Sequence, residues 1–200
     1  MVLTDPALLA GRDAVAVCRR AVAGGATMVQ VRWKDGAPRE LLQLAQALVL
    51  ALPVPVLVND RVDVALAAGA AGTHLGQDDP PLDVLRGEVP PGFLLGVSVG
   101  SVAEAERVRT WPADYWSIGP CFGTGNKPDA GGALGPAGFA ALARLAPQGM
   151  PVLGIGGITS ANAGAIVQAG AVGVAVIGAV MGATDPEVAA RIVLDRLRPS

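Results

Sequence analysis

PVLGIGGITSANAGAIVQAGAVGVAVIG, residues 151–178, writes out one structural unit in full. The apolar run 152–155 carries no polar alternation, which is how a strand buried on both faces reads. Gly156 and Gly157 break it. Ser160 then stands where an N-cap would open a helical stretch over 160–169. That stretch closes in Ala-Gly-Ala, the place for a left-handed glycine at a helix end. A second apolar run, 173–177, follows. Strand, helix and strand in this order make a βαβ unit with parallel strands.

The unit repeats outward along the chain. Further strands are expected at 1–4, 28–32, 54–58, 72–75, 94–98 and 115–118, and helices at 12–23, 38–50, 62–68, 81–86, 101–110, 136–145 and 186–197. Ser101 with Glu104 three residues later forms a capping box. Gly24-Gly25 and Gly69 repeat the glycine stop. Eight strands, each followed by a helix, predict an α/β fold, a single (β/α)8 TIM barrel spanning residues 1–200. A doubly wound open sheet is the runner-up. The count of eight and the near-regular spacing favour the barrel. No linker, low-complexity segment or second domain interrupts the pattern.

Composition agrees. A chain of 200 residues suits a barrel, since α/β barrels run to about 200–250 residues as one unit. With 52% hydrophobic and 16% charged residues the chain can bury a large core. Aromatics are scarce, so that core must be Ala, Val and Leu. A net charge of -2 without a basic run excludes a nucleic-acid footprint. No uninterrupted apolar run reaches the ~18 residues of a spanning helix, and Asp5 breaks the first apolar stretch, so neither membrane span nor signal peptide is expected. Cys18 and Cys121 have no zinc or redox spacing, which points to a reduced, cytoplasmic protein. The sequence leaves a homo-oligomer open.

The active sites of such barrels lie at the C-terminal ends of the strands. The polar residues fall there: Gln30, Arg32 and Lys34 after the second strand, Asn59-Asp60 after the third, His74 to Asp79 around the fourth, Ser98 at the fifth. Asp60 and Asp79 would share one mouth. Each alone reads as a helix cap or turn residue. Together on neighbouring strands they suit Mg²⁺, which takes one or two carboxylates plus substrate phosphate oxygens and water. His74, the one histidine, reads as a packed, hydrogen-bonded residue outside the catalytic set. Gly154 to Ile158 and the turn at Ile177-Gly178 place backbone amides where these barrels commonly bind phosphate. Of the 15 basic residues only Lys34 and Lys127 are lysines. An ammonium is a point charge that a guanidinium fork does not replace. Each lysine stands either for that need or for chance in an arginine-biased chain. Two anion sites at one mouth suggest two phosphorylated small-molecule substrates, one a diphosphate carried with Mg²⁺.

These residues resemble the thiamine phosphate synthase family. The likeness rests on Val29-Gln30-Val31-Arg32-Trp33-Lys34, Val58-Asn59-Asp60, His74-Leu75-Gly76-Gln77-Asp78-Asp79, Gly96-Val97-Ser98, Gly119-Pro120 through Thr124 to Lys127, and Gly154-Ile155-Gly156-Gly157-Ile158. They occur in the family's order, from Leu3-Thr4-Asp5 to the last helix. The resemblance implies a (β/α)8 barrel that joins a pyrimidine diphosphate to a thiazole phosphate and releases pyrophosphate. It implies Mg²⁺ at Asp60 and Asp79. Gln30, Val31, Arg32, Trp33, Lys34, Asn59, Ser98 and Lys127 would contact the pyrimidine diphosphate. Of these, Lys127, Lys34, Arg32 and Ser98 would be catalytic. Thr124, Gly125, Asn126, Gly157, Ile177 and Gly178 would hold the thiazole phosphate.

Two positions depart from the family pattern. Asn126 stands in a Thr-x-Thr-Lys segment, and Gly178 stands where Ile-Ser is usual. Both fall on the thiazole phosphate side, where weaker binding is expected. The rival readings are a thiazole tautomerase-like isomerase, a non-catalytic barrel that binds a phosphorylated ligand, and the phosphate-using barrels of tryptophan biosynthesis. The joint presence of Asp60, Asp79, Lys34 and Lys127 favours the synthase.

Overall fold

The structure, a computed structural model, describes residues 1–123 and 132–198. Its strands are β1 (Val2–Leu3), β2 (Val29–Val31), β3 (Val56–Asn59), β4 (Gly72–Leu75), β5 (Leu94–Val99), β6 (Tyr115–Ile118), β7 (Val152–Ile155) and β8 (Gly173–Ala175). They form one parallel sheet in sequence order. A parallel bridge from Val2 to Val176 joins its edges. Leu3 N–H donates to Val176 O at 2.9 Å and Val176 N–H to Met1 O at 3.1 Å. The sheet is therefore a (β/α)8 barrel, as the repeat predicts.

The helices among the described residues are α1 (Pro6–Leu9), α2 (Ala14–Ala23), α3 (Pro38–Ala51), α4 (Val62–Ala68), α5 (Leu82–Leu85), α6 (Val102–Val108), α7 (Gly135–Ala143), α8 (Ala163–Gln168), α9 (Gly178–Met181) and α10 (Pro186–Asp195). None is long and apolar enough to cross a membrane. Carboxylate caps set several starts. The Asp13 side chain accepts from Ala16 N–H at 2.6 Å, and Asp185 accepts from Glu187 and Val188 N–H. Ser101 caps α6 as expected, accepting from Glu104 N–H at 3.2 Å. Glu104 reaches back one residue further than a capping box requires, to Gly100 N–H at 2.6 Å.

Two expectations are corrected. Ser160 caps nothing: Thr159 N–H donates to Asn162 Oδ1 at 2.8 Å, so a turn takes the first residues and α8 starts at Ala163. The first long helix starts at Ala14 rather than Arg12, because Asp13 supplies the cap. The short helices α1 and α9 were not foreseen. Each is a single turn, below the length at which an apolar period can be recognised.

Strand alternation sorts the barrel into two shells. Val29, Val31, Val56, Val58, Leu95, Val97, Trp116 and Ile118 face the helices and join one hydrophobic core. Each such side chain contributes roughly 1.5–3 kcal/mol by leaving water. The other face of the same strands carries Gln30, His74 and Ser117, all buried, together with Leu3, Leu57 and Tyr115. This inner face is crowded near its floor. A Cβ on Gly96 would lie 2.1 Å from Tyr115 Cζ, so only glycine leaves the ring its place.

Candidate active site

A cavity of about 830 Å³ opens at the C-terminal ends of the strands. That is within the usual size for a small-molecule site. Gln30, Arg32, Lys34, Asn59, Asp60, Asp79 and Ser98 line one side, and Gly157, Ile177 and Gly178 the other. The structure thus gathers ten of the residues expected from sequence. Val31 and Trp33 are not among the lining. Val31 is fully buried in the helix-facing core, because alternation turns it away from Gln30 and Arg32. Trp33 packs on the core, and its ring fills the space a Cβ on Gly36 would take, at 2.6 Å. Thr124, Gly125, Asn126 and Lys127 lie outside the described residues.

The β2–β5 side is laced by side chains. Arg32 N–H donates to Thr4 Oγ1 at 2.9 Å, and the Thr4 hydroxyl donates to Arg32 O at 3.0 Å. The Arg32 guanidinium lies 3.7 Å from Asp5, with both side chains largely buried. Asp5 also caps α1 through Ala7 N–H at 3.1 Å. The short first helix therefore fixes an acid beneath a site arginine. Lys34 stands exposed at the rim.

Asp60 ends β3 in the left-handed region, with φ 62, a costly backbone for a non-glycine residue. Its N–H is held by His74 O at 2.8 Å. On the β4 loop, Asp79 Oδ2 accepts from Gly76 N–H at 2.6 Å. Gln77 donates to Ser98 O and accepts from the Arg107 guanidinium, while Glu104 stands 3.5 Å from the Gln77 amide. The loop bearing Asp79, the end of β5 bearing Ser98 and the start of α6 are thus tied together.

Beneath Ser98 lies a buried polar chain. The Ser98 Oγ is 3.0 Å from His74 Nε2, and His74 Nδ1 is 2.9 Å from Tyr115 Oη. The two rings stack with centroids 5.5 Å apart. Burial pushes the Tyr115 phenol well above its ordinary pKa, against a smaller lowering by the Gln30 amide. Gln30 is 2% exposed and its Oε1 has no partner among the described residues. A buried acceptor left unmade is costly, so it is available to a ligand N–H.

The β6–β8 side is built from backbone. Gly156 and Gly157 have φ 91 and 62. A Cβ on Gly157 would meet Gly123 O at 2.5 Å, and one on Gly156 would meet Pro120 Cα at 2.7 Å. Cys121 and Phe122 N–H donate to Ile155 and Gly156 O at 2.7 and 3.0 Å. After β8 the chain turns at once into α9, whose first residue is Gly178.

The sequence reading missed Thr4, Asp5, Glu104 and Tyr115 as supports of the site. Glu104 carried a signal in its capping box, and Thr4 and Asp5 stood in the segment that opens the family resemblance; Tyr115 carried none. Among the described residues no group of three or more His, Cys, Asp or Glu converges on a metal position. The oxygen-only pair Asp60 and Asp79, lining one cavity, fits an ion that completes its sphere with water and substrate oxygens, as Mg²⁺ does, and does not fit zinc.

Fold and mouth define a (β/α)8 barrel with a polar small-molecule site at the strand ends. The family described as thiamine monophosphate synthase matches residues 1–180. The chain is 48% identical over 197 residues to a thiamine-phosphate synthase of Roseiflexus castenholzii, covering 97% of this chain and 86% of that protein. It is 46% identical over 200 residues to one of Methanoculleus marisnigri, covering 98% and 93%. The solved structure of thiamine phosphate pyrophosphorylase from Pyrococcus furiosus superposes with a TM-score of 0.87 at 36% identity, covering 98% of this chain and 93% of that one. This chain belongs to the thiamine monophosphate synthase family.

Proposed function

We propose a division of labour in the mouth for the family's reaction. The protein is an enzyme of thiamine biosynthesis, a transferase that condenses 4-amino-2-methyl-5-(diphosphooxymethyl)pyrimidine with 4-methyl-5-(2-phosphooxyethyl)thiazole. The products are thiamine phosphate and pyrophosphate. The observation that carries the assignment of roles is the single cavity lined on one side by Gln30, Arg32, Lys34, Asn59, Asp60, Asp79 and Ser98, and on the other by Gly157, Ile177 and Gly178.

On this reading the pyrimidine diphosphate lies on the β2–β5 side. The unpaired Gln30 Oε1 accepts from the pyrimidine amino group, and Asn59 offers a second amide. Arg32 and Lys34, together with Lys127, hold the diphosphate. Mg²⁺ bound by Asp60 and Asp79 would neutralise diphosphate charge. Negative charge grows on the diphosphate as its bond to the pyrimidine methylene breaks. Cations and donors already aimed at that position lower the barrier without reorganising. The thiazole nitrogen then forms the new bond to the methylene carbon. Backbone amides in the Gly156-Gly157 turn and at Ile177-Gly178, where α9 begins, hold the thiazole phosphate; Thr124, Gly125 and Asn126 are assigned to the same substrate. We assign the protein to the cytoplasm, which the two buried, unpaired cysteines support.

The test is direct. Purified protein is mixed with both substrates, with Mg²⁺ or with EDTA, and thiamine phosphate is measured. Product that depends on added metal is expected. Product undiminished in EDTA would remove Asp60 and Asp79 from the metal role. No product in either condition, with thiazole phosphate still bound, would favour the isomerase or binding reading.

A further inference from the structure

The buried chain under Ser98 has a direction that its members determine. Tyr115 sits on β6, His74 on β4 and Gln30 on β2, so no two lie on adjacent strands and they meet only across the barrel interior. The Gln30 amide lies near the phenol and lowers its pKa, and its Nε2 lies 3.6 Å from Met1 Sδ. The phenol has one hydrogen to place. The partner at hand is His74 Nδ1, at 2.9 Å. Burial keeps that phenol protonated.

A ring nitrogen that accepts carries no proton, so neutral His74 holds its hydrogen on Nε2. Nε2 then donates to Ser98 Oγ at 3.0 Å. A doubly protonated ring would leave the phenol hydrogen without an acceptor in a closed space, which costs the full desolvation of that group. With its oxygen accepting from His74, the Ser98 hydroxyl turns its own hydrogen elsewhere. Ser98 and His74 both line the cavity.

We propose that Tyr115 and His74 are positioning residues that fix the Ser98 hydroxyl as a hydrogen-bond donor into the cavity. The inference rests on the assignment of this side of the mouth to the diphosphate, whose oxygens accept and never donate when ionised. A serine free to rotate offers an acceptor lone pair to that anion part of the time. A serine whose oxygen is already engaged offers the donor. Tyr115 acts through His74, and the pair sets the polarity of the hydroxyl assigned to the diphosphate. Gly96 belongs to the same device, since its missing side chain is what admits the Tyr115 ring.

The chain has one histidine, so its imidazole nitrogens can be observed without ambiguity. In ¹⁵N-labelled wild-type protein, Nε2 is expected to be the protonated nitrogen and Nδ1 the bare acceptor. A protonated Nδ1 with a bare Nε2 would overturn the proposal. Tyr115→Phe keeps the stacked ring and removes only the hydroxyl. It is expected to release the tautomer into a mixture and to lower kcat about tenfold, equal to about 1.4 kcal/mol, with little change in KM. In a Ser98→Ala background the same change is expected to cost nothing further, because the group being positioned is gone. An equal loss in both backgrounds would overturn the proposal, as would full kcat in the single variant. Were the wild-type protein to make no thiamine phosphate, the reaction assignment would fall by itself, and the tautomer would still decide between a directed relay and none.

Discussion

On the β2–β5 side of the mouth, Arg32, Asp79 and Ser98 each touch another side chain or a loop amide that holds them. On the β6–β8 side, glycine backbones lie directly against neighbouring loops. Gly119 would place a Cβ 2.3 Å from Ile155 O, and Gly157 one 2.5 Å from Gly123 O. The first side places chemical groups; the second places main-chain amides. A side-chain contact can be removed with the backbone left standing, whereas a Cβ inserted between packed backbones must move the loops. Substitutions on the two sides should therefore differ in kind, the first set changing rate and metal dependence, the second changing stability and phosphate binding together.

The largest effect is expected from Lys34→Ala. Removing one fixed group aimed at developing charge typically costs about 10²–10³ in kcat. Lys34 is exposed at the rim, so the folding stability should change by no more than surface substitutions usually do, about ±0.5 kcal/mol. Single-turnover rates and a thermal melt on the same preparation measure both. A large fall in melting temperature would break the contrast between the two sides.

Asp60→Asn comes next. The amide keeps the shape but removes the charge, so the Mg²⁺ concentration giving half-maximal rate should rise, by about 10- to 100-fold as when groups supporting a metal are altered. Asparagine tolerates the left-handed backbone that position 60 adopts, so folding should be little affected. A metal titration with an unchanged midpoint would exclude Asp60 as a ligand.

Gly157→Ala tests the other side. A left-handed alanine costs about 1–2 kcal/mol before any clash, and the contact at 2.5 Å with Gly123 O adds to it. For a chain of this size that corresponds to roughly 2–4 °C of melting temperature per kcal/mol. The KM for thiazole phosphate should rise in parallel, with the KM for the pyrimidine diphosphate unmoved. A rise in the pyrimidine KM alone would reverse the assignment of the two sides.

How much of this was legible in the sequence follows from where the partners sit. The barrel was legible because each strand and each glycine stop is a local pattern, repeated until the count reached eight. Asp60, Asp79, Gln30, Arg32 and Ser98 were legible because strand ends gather polar residues in this fold. The relay was not, since His74 and Tyr115 are far apart in sequence and meet only across the interior of the closed sheet. Taking Gln30 through Lys34 as one contiguous contact segment passed over the alternation that sends the Val31 side chain into the helix-facing core. Asp5 read as a break in an apolar stretch, and only the fold puts its carboxylate 3.7 Å from Arg32. Ser160 matched the cap pattern, but Asn162 offers a competing acceptor to Thr159 N–H that local propensity does not rank.

The smallest effect bears on the departure at Gly178, the first residue of α9, which lines the cavity and is exposed. Its backbone amide is retained whatever the side chain, so the site keeps the part of its anion binding that comes from the main chain. What glycine lacks is a hydroxyl. One added hydrogen bond contributes about 0.5–1.5 kcal/mol net, so Gly178→Ser should lower the KM for thiazole phosphate by roughly two- to tenfold. The KM for the pyrimidine diphosphate should not change, because that substrate is assigned to the opposite side. The two values are read from initial rates with each substrate varied in turn. An unchanged thiazole KM would mean that backbone amides already saturate the phosphate, making the β6–β8 side still more purely a main-chain device. A change in both values would mean that the two sides communicate through the substrates bound between them.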